Sequence, residues 1–492
     1  MTRLTAQTLK SLPQGVRLPA YDRAGVTPGI VHLGIGAFHR AHMAVYVDDL
    51  LAANPQWGIV GASLRRPDTK DALAPQDFLY TVAVRDASGT ACRVIGSILD
   101  VMDANTQRAE LLALMAQPKI RIVSLTVTEK GYCHDPATGE LDERHPDIVH
   151  DLAHPDEPRS APGIIVAALA ARMRAGTPAF TVMSCDNLPS NGVTCGRIVT
   201  RLAELASPEL GAWVKANVAF PSTMVDRIVP ATTDEDRGIV RAAAGFDDAW
   251  PIMTEPFTQW VIEDHFANGR PPFETVGAQL VEDVEPYELM KLRMLNGSHS
   301  TVSYLGFLAG HQYVADTVAD PALRKLIHGL MTEEVMPTLP MPRADLENYR
   351  DALLQRFANP ALKHRTAQIA MDGSQKLPQR LLGTVRDRLK ARAGAEGITR
   401  LTLGVAAWMR YITGIDEQGQ PIEVKDPMAL RLRGIADAAG GNAARLAAGM
   451  FEVSEIFGTD LPRNPVFTEA VSMHLAELFA DGAAKTVARV VG

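Results

Sequence analysis

GIVHLGIGAFHRAH (residues 29–42) decides the fold. An apolar, β-branched run, GIVHLG at 29–34, stops at Gly-x-Gly and is followed by residues able to open a helix. Gly34 and Gly36 occupy the first two places of GxGxxG, where a tight turn lets the backbone approach a pyrophosphate at a helix N-terminus. His39 stands where the third glycine belongs, so a plain structural turn stays open as the alternative.

Outward from that loop the same pattern repeats. WGIVGAS (57–63), IRIVSLTVT (120–128) and AFTVMSC (179–185) read as buried strands. AHMAVYVDDLLAA (41–53), AELLALMA (109–116) and GIIVAALAARMRA (163–175) have helical apolar spacing. The segment 79–99 reads as a hairpin inserted into the series. Beyond about residue 285 only helix-periodic stretches remain, among them LRKLIHGLMTEEVM, ITRLTLGVAAWMRYI and EAVSMHLAELFA. RGIADAAGGNAARLAAGM reads as a surface helix pair. The expected fold is α/β: a Rossmann-type dinucleotide-binding domain over 1–284 and a predominantly α-helical substrate-binding domain over 285–492.

Composition narrows the function. A formal net charge of -8 with no dense basic run argues against a nucleic-acid partner. Four cysteines, Cys92, Cys133, Cys185 and Cys195, form no CxxC pair and no disulfide framework, which fits a reducing cytoplasm. The N-terminal stretch lacks a signal-peptide core, and no run approaches ~18 apolar residues, so export and membrane spanning are not expected.

Gly34, Gly36, Phe38, His39, Arg40 and Asp68 form the expected cofactor-binding set. His39, Arg40 and His42 would meet phosphate oxygens directly, or else form a solvated helix start. After the second strand, Asp68 suits a ribose 2′-OH whereas Arg65 and Arg66 suit a 2′-phosphate. NAD is the expected cofactor, with NADP open.

KLRMLNGSHS (291–300) places Lys291, Asn296 and His299 in an otherwise apolar helix. At ~100° per residue, His299 lies about 80° and Asn296 about 140° from Lys291, so all three line one broad face. Singly, each residue reads as a snorkelling or internally satisfied side chain. Together they offer a base for a hydroxyl proton and donors for an oxygen gaining negative charge, with no cysteine or histidine cluster at metal-ligand spacing to supply zinc instead.

Eight segments extend this picture along the chain: HLGIGAFHRAH, SLTVTEKGYC, FTVMSCDNLPSNG, FPSTMVDRIVPAT, EPFTQWVIED, YELMKLRMLNGSHS, MDGSQKLPQRLL and LPRNPVF. Through them the chain resembles the mannitol dehydrogenase family of long-chain, zinc-independent polyol dehydrogenases, and within it the fructuronate reductase, or mannonate oxidoreductase, branch. The resemblance implies that Lys291 is the catalytic acid/base and that Asn187, Asn296 and His299 hold the reacting oxygen. It implies that Asp226 contacts substrate, although Asp226 and Arg227 could equally form a buried ion pair. Glu129 would govern proton or water passage, or form a surface pair with Lys130.

Oxidation would start with neutral Lys291, whose pKa must be lowered by desolvation, since Arg293 lies about 200° round the helix. Mannonate differs from mannitol by a carboxylate, and Arg365, Lys376 and Arg380 are the candidate cations for it, each also readable as a surface charge. The expected reaction joins D-fructuronate and D-mannonate, with D-mannitol and D-fructose second. A catalytically silent dinucleotide-binding sensor is the reading from a different class. A monomer or weak homodimer is expected, acting on a small-molecule sugar acid or polyol without metal.

Overall fold

The structure, a computed structural model, describes residues 2–11, 15–135 and 138–492. It divides into two units, Met1–Glu285 and Pro286–Gly492.

In the first unit five parallel strands lie in the order Ile98–Asp103, Gly58–Ser63, Pro28–Leu33, Ile122–Leu125, Thr181–Ser184. Strand order therefore reverses between Pro28–Leu33 and Ile122–Leu125, and in open α/β sheets ligands bind beyond the carboxyl ends of strands at such a reversal. Side-chain alternation builds a core on each face. Val31, Leu33, Val60, Val123 and Val182 pack against Leu111, Ile164 and Ile198 of the helices Arg108–Met115, Ala161–Ala175 and Asn191–Ala206. Ile30, Ile59, Ile122 and Met183 pack on the other side with Val47 of Met43–Leu50 and with Trp260. The helix Ala161–Ala175 shows how local signals fix an element. Ser160 Oγ accepts the Gly163 N–H, Pro162 sits in the first turn, and Gly176 ends the helix at φ +65°.

Two details depart from the sequence reading. Tyr80–Asp86 and Gly89–Ile95 do pair antiparallel, but Ile98 opens a strand of the main sheet, so the end of segment 79–99 leaves the hairpin. Two smaller sheets were also not expected: Ile252–Thr254 joins the hairpin, and Gln259–Glu263 lies between Thr223–Asp226 and Gln279–Val281.

The second unit is helical, with only isolated bridges of strand type among the described residues. Thr399–Ile412 is buried from Leu401 to Met409 and packs against Gly297–Leu308 and Pro465–Asp481. Close approach requires Gly404, where a Cβ would stand 2.8 Å from Thr301 Oγ1. Glu334 caps the same helix, its carboxylate accepting the Arg400 and Leu401 N–H groups at 2.8 and 2.9 Å. The Ala/Gly-rich segment is the expected helix pair, Ala429–Ala439 and Ala443–Phe451, turning at Gly440 and Gly441.

Three π-helical turns interrupt the α-helices of this unit, at Lys291–Asn296, Leu330–Val335 and Pro378–Leu382. No helix of the described residues is long and apolar enough to cross a membrane.

Candidate active site

Three loops meet at the carboxyl ends of the central strands of the first unit. Gly34 takes φ +89°, and a Cβ there would stand 2.2 Å from the Thr126 carbonyl oxygen, so no other residue fits. Thr126 Oγ1 donates to the Gly34 carbonyl at 2.8 Å, tying the glycine loop to the loop after Ile122–Leu125. Gly36 is exposed, and a Cβ there would meet nothing nearer than 3.8 Å, which leaves backbone open to a ligand at the start of Ala37–Ala41.

His39 and Arg40 do not present charge at this mouth, which corrects the expected phosphate contacts. His39 turns inward and stacks on His32, ring centroids 3.4 Å apart, so an aromatic stack fills the place of the third glycine. Arg40 is fully buried, donates to the Trp250 carbonyl at 3.0 Å and lies over the Trp250 ring at 4.8 Å. His42 follows the same inward course, with Nε2 2.8 Å from the Gln259 carbonyl. Phe38 remains half-buried, stacked on His42. Asp68 starts the helix Asp68–Leu73, and it is exposed together with Arg65 and Arg66.

Beneath the loop His32 bridges Ser124 Oγ through Nδ1 and Thr126 Oγ1 through Nε2, both at 2.8 Å. Thr126 gives its own proton to Gly34, so Nε2 of His32 is the donor. Burial lowers its pKa to about 3.

The next loop carries Glu129, exposed at the start of the short turn Glu129–Tyr132. Its neighbour Thr128 adopts φ +65° and ψ +164°, a region costly for a β-branched residue, by roughly 1–3 kcal/mol. Asp186 holds it there: its carboxylate accepts the Val127 N–H at 2.9 Å, the Thr128 N–H at 3.0 Å and the Tyr132 hydroxyl at 2.8 Å. Burial pushes the Asp186 carboxyl above the usual range, against the pull of those hydrogen bonds. Asn187 follows directly and is exposed. Asn191 braces this loop from below, donating to the Asp186 and Thr223 carbonyls at 3.0 and 2.8 Å.

Asp226 closes the strand Thr223–Asp226 and is buried, 3% exposed. Arg227 braces backbone: it donates to the Ala41 carbonyl at 2.6 Å and to the Glu255 carbonyl at 3.0 Å. Burial lowers its pKa to about 10.

In the second unit the structure corrects the helical geometry around Lys291. Lys291–Asn296 is a π turn in which the Gly297 N–H donates to the Leu292 carbonyl, five residues back. With i→i+5 bonding, Lys291 and Asn296 stand one turn apart on the same face, where an α-helix would separate them by about 140°. His299 continues that face in Gly297–Leu308. Arg293 points elsewhere, pairing with Asp387 at 2.7 Å and donating to Thr338 Oγ1 at 2.8 Å.

The three candidate cations separate. Arg380 lies in a second π turn whose backbone touches this helix: a Cβ on Gly297 would stand 2.8 Å from the Arg380 carbonyl oxygen. Its guanidinium reaches the Asn296 carbonyl at 3.5 Å and Ser300 Oγ at 3.4 Å. Lys376 is taken up locally, donating to the Met371 carbonyl at 2.5 Å beside Asp372. Arg365 is exposed, its backbone bridged to Tyr313. Lys376 and Arg365 are thus not joined to the Asn296 face by any such contact, whereas Arg380 is.

Sequence spacing showed no metal cluster, yet Cys133, His145 and Asp147 bring ligand atoms within 4.8 Å of one another. His145 Nδ1 already accepts the Asp147 N–H as cap of Pro146–Ala153, and a cation there would face the positive end of that helix. The group therefore reads as a helix cap.

Comparison with known proteins agrees along the whole chain. The family model described as the mannitol dehydrogenase Rossmann domain matches residues 28–275, and that of the mannitol dehydrogenase C-terminal domain matches 283–479. D-mannonate oxidoreductase of Escherichia coli (strain K12) is 48% identical over 96% of this chain and 98% of its own. Mannitol 2-dehydrogenase of Phaeosphaeria nodorum is 43% identical over 99% of this chain and 85% of its own. The structure of Pseudomonas fluorescens mannitol 2-dehydrogenase, in ternary complex with NAD and D-mannitol, aligns with a TM-score of 0.88 at 42% identity, covering 100% of this chain and 99% of that one.

Proposed function

The chain belongs to the mannitol dehydrogenase family of oxidoreductases, and from that premise we propose that it reduces D-fructuronate to D-mannonate with NADH, without a metal. The observation that carries the reading is the face formed by Lys291, Asn296 and His299 on and after the π turn. The balanced reaction is D-fructuronate + NADH + H⁺ giving D-mannonate + NAD⁺.

Gly34, Gly36 and the start of Ala37–Ala41 would hold the dinucleotide pyrophosphate, and Asp68 would accept hydrogen bonds from the adenosine ribose. Bound there, the nicotinamide supplies the hydride for reduction and accepts it for oxidation. The chain's own residues manage the proton and the charge. Lys291 gives its proton to the carbonyl oxygen as that oxygen becomes an alcohol, and takes it back in the reverse direction. Asn296, His299 and Asn187 donate to the oxygen while it carries negative charge. Burial keeps His299 neutral, so it serves as a donor of one N–H, not as a competing acid. Glu129, exposed beside strained Thr128, is the route by which a proton reaches solvent.

Two points support the sugar acid over the polyol. Arg380 stands on the reactive face, a fixed cation that a carboxylate needs and a CH2OH group does not. Identity is also higher to D-mannonate oxidoreductase than to the mannitol 2-dehydrogenases cited above.

The test is NADH consumption by purified protein with D-fructuronate and D-fructose at equal concentrations. A preference for fructuronate of at least about thirtyfold in kcat/KM is expected, since loss of a charge-paired contact costs about 2–5 kcal/mol. A preference for fructose would make the enzyme a mannitol dehydrogenase.

A further inference from the structure

KLRMLN reads as ordinary α-helix, so the π turn that brings Lys291 and Asn296 onto one face must be imposed from outside the run. Gly297 supplies one constraint, since a Cβ there would stand 2.8 Å from the Arg380 carbonyl oxygen in the π turn Pro378–Leu382. Arg293 supplies the other. It lies within the turn, two places after Lys291, and its side chain is 11% exposed. A guanidinium so far buried needs partners, and Arg293 finds them on two neighbouring segments. It donates to Thr338 Oγ1 at 2.8 Å and to the Thr338 carbonyl at 3.3 Å, and it pairs with Asp387 at 2.7 Å. Thr338 Oγ1 gives its own proton to the carbonyl of Val335, the last residue of the π turn Leu330–Val335. Asp387 belongs to the helix Gly383–Lys390, which follows Pro378–Leu382 directly. One side chain thus ties the turn at Lys291 to the ends of the other two π turns.

Relaxation of Lys291–Asn296 to α geometry would let one residue, about 100° of rotation, slip round the axis. Gly297 pins the helix beyond the turn, so the slip would fall on the residues before it. Arg293 would then swing away from Thr338 and Asp387 as Lys291 left the Asn296 side.

We propose that Arg293 is a positioning residue for the proton transfer: its bonds to Thr338 and Asp387 lock the register of the π turn and so hold Lys291 on the face of Asn296. The proposal rests on the reading of Lys291 as the acid/base. Arg293 acts only through the backbone of the turn.

The test is a double-mutant cycle on the full chain, with Arg293→Met, Lys291→Met and the two combined. The rate kcat is taken on whichever of D-fructuronate and D-fructose the wild type reduces faster, and NADH affinity by fluorescence. Arg293→Met is expected to lower kcat at least about tenfold, because misplacing a catalytic group by about 1 Å can cost about 10²-fold, and to change NADH affinity less than about twofold. In the Lys291→Met background the same substitution should lower kcat less than about twofold, since the proton donor it would misplace is gone. Arg293→Lys keeps the charge for Asp387 without the fork, and should recover part of the loss. Should Arg293→Met melt early, Asp387→Ala, at a half-exposed site outside the turn, takes its place in the cycle, with a fall of at least about threefold expected. Equal losses in the two backgrounds, or unchanged kcat in the Arg293 variant beside a Lys291→Met protein that has lost turnover, would overturn the clamp and leave the acid/base in place. A Lys291→Met protein with near wild-type turnover would overturn the acid/base reading, and the clamp with it.

Discussion

His32 shows what a single side chain does under the glycine loop. It spans Ser124 and Thr126 as a neutral ring, and Thr126 passes the contact on to the Gly34 carbonyl. Its folded pKa is lowered to about 3, while an unfolded histidine titrates near 6.5. The unfolded chain therefore binds the extra proton first, and the stability His32 contributes is intact above pH 6.5 and lost as pH falls toward 3. Denaturant unfolding followed across that window should show stability dropping by up to about 1.4 kcal/mol per pH unit from this residue alone. His32→Gln should start less stable and show a shallower slope. An unchanged slope would mean that the ring is already protonated in the folded protein.

At the scale of elements, two loops are held in shapes that their own sequences do not favour. Asp186 commits its carboxylate to two backbone N–H groups and a tyrosine hydroxyl, and so fixes Thr128 at positive φ, with Glu129 next to Thr128 and Asn187 next to Asp186 along the chain. Asp186→Asn turns one acceptor into a donor facing a backbone N–H, which should cost about 1–3 kcal/mol. Turnover is expected to fall at least tenfold while NADH affinity, measured by fluorescence, changes little. A loss of stability with full kcat would make Asp186 a fold residue only. The π turn at Lys291 is the second such element. The four strands with runs of β-branched residues and the GxG turn were legible because burial and φ > 0 leave marks in residue type. A π turn leaves none: KLRMLN reads as ordinary helix, and only the Gly297 bond to Leu292 shows the extra residue. The strand at Ile98 was hidden because its apolar run continues the hairpin's without a turn residue between them.

Across the whole molecule, polar residues set in apolar runs were visible in the sequence, whereas the direction each side chain takes was not. Lys291, Asn296 and His299 stood out as polar groups in an apolar run, and the fold places them on one face. His39 and Arg40 stood out for the same reason and turn inward, because a ring stack and an Arg–Trp contact reward burial as well as a phosphate would. Asp186 was missed since its partners are backbone amides, which no motif records. On the proposed mechanism, Lys291 moves the proton. The most direct test is the pH profile of kcat for Lys291→Met beside the wild type, with NADH binding checked in both. A fall of about 10²–10⁴ at every pH, with NADH affinity retained, is expected. A variant that kept most of the wild-type turnover across that range would contradict it.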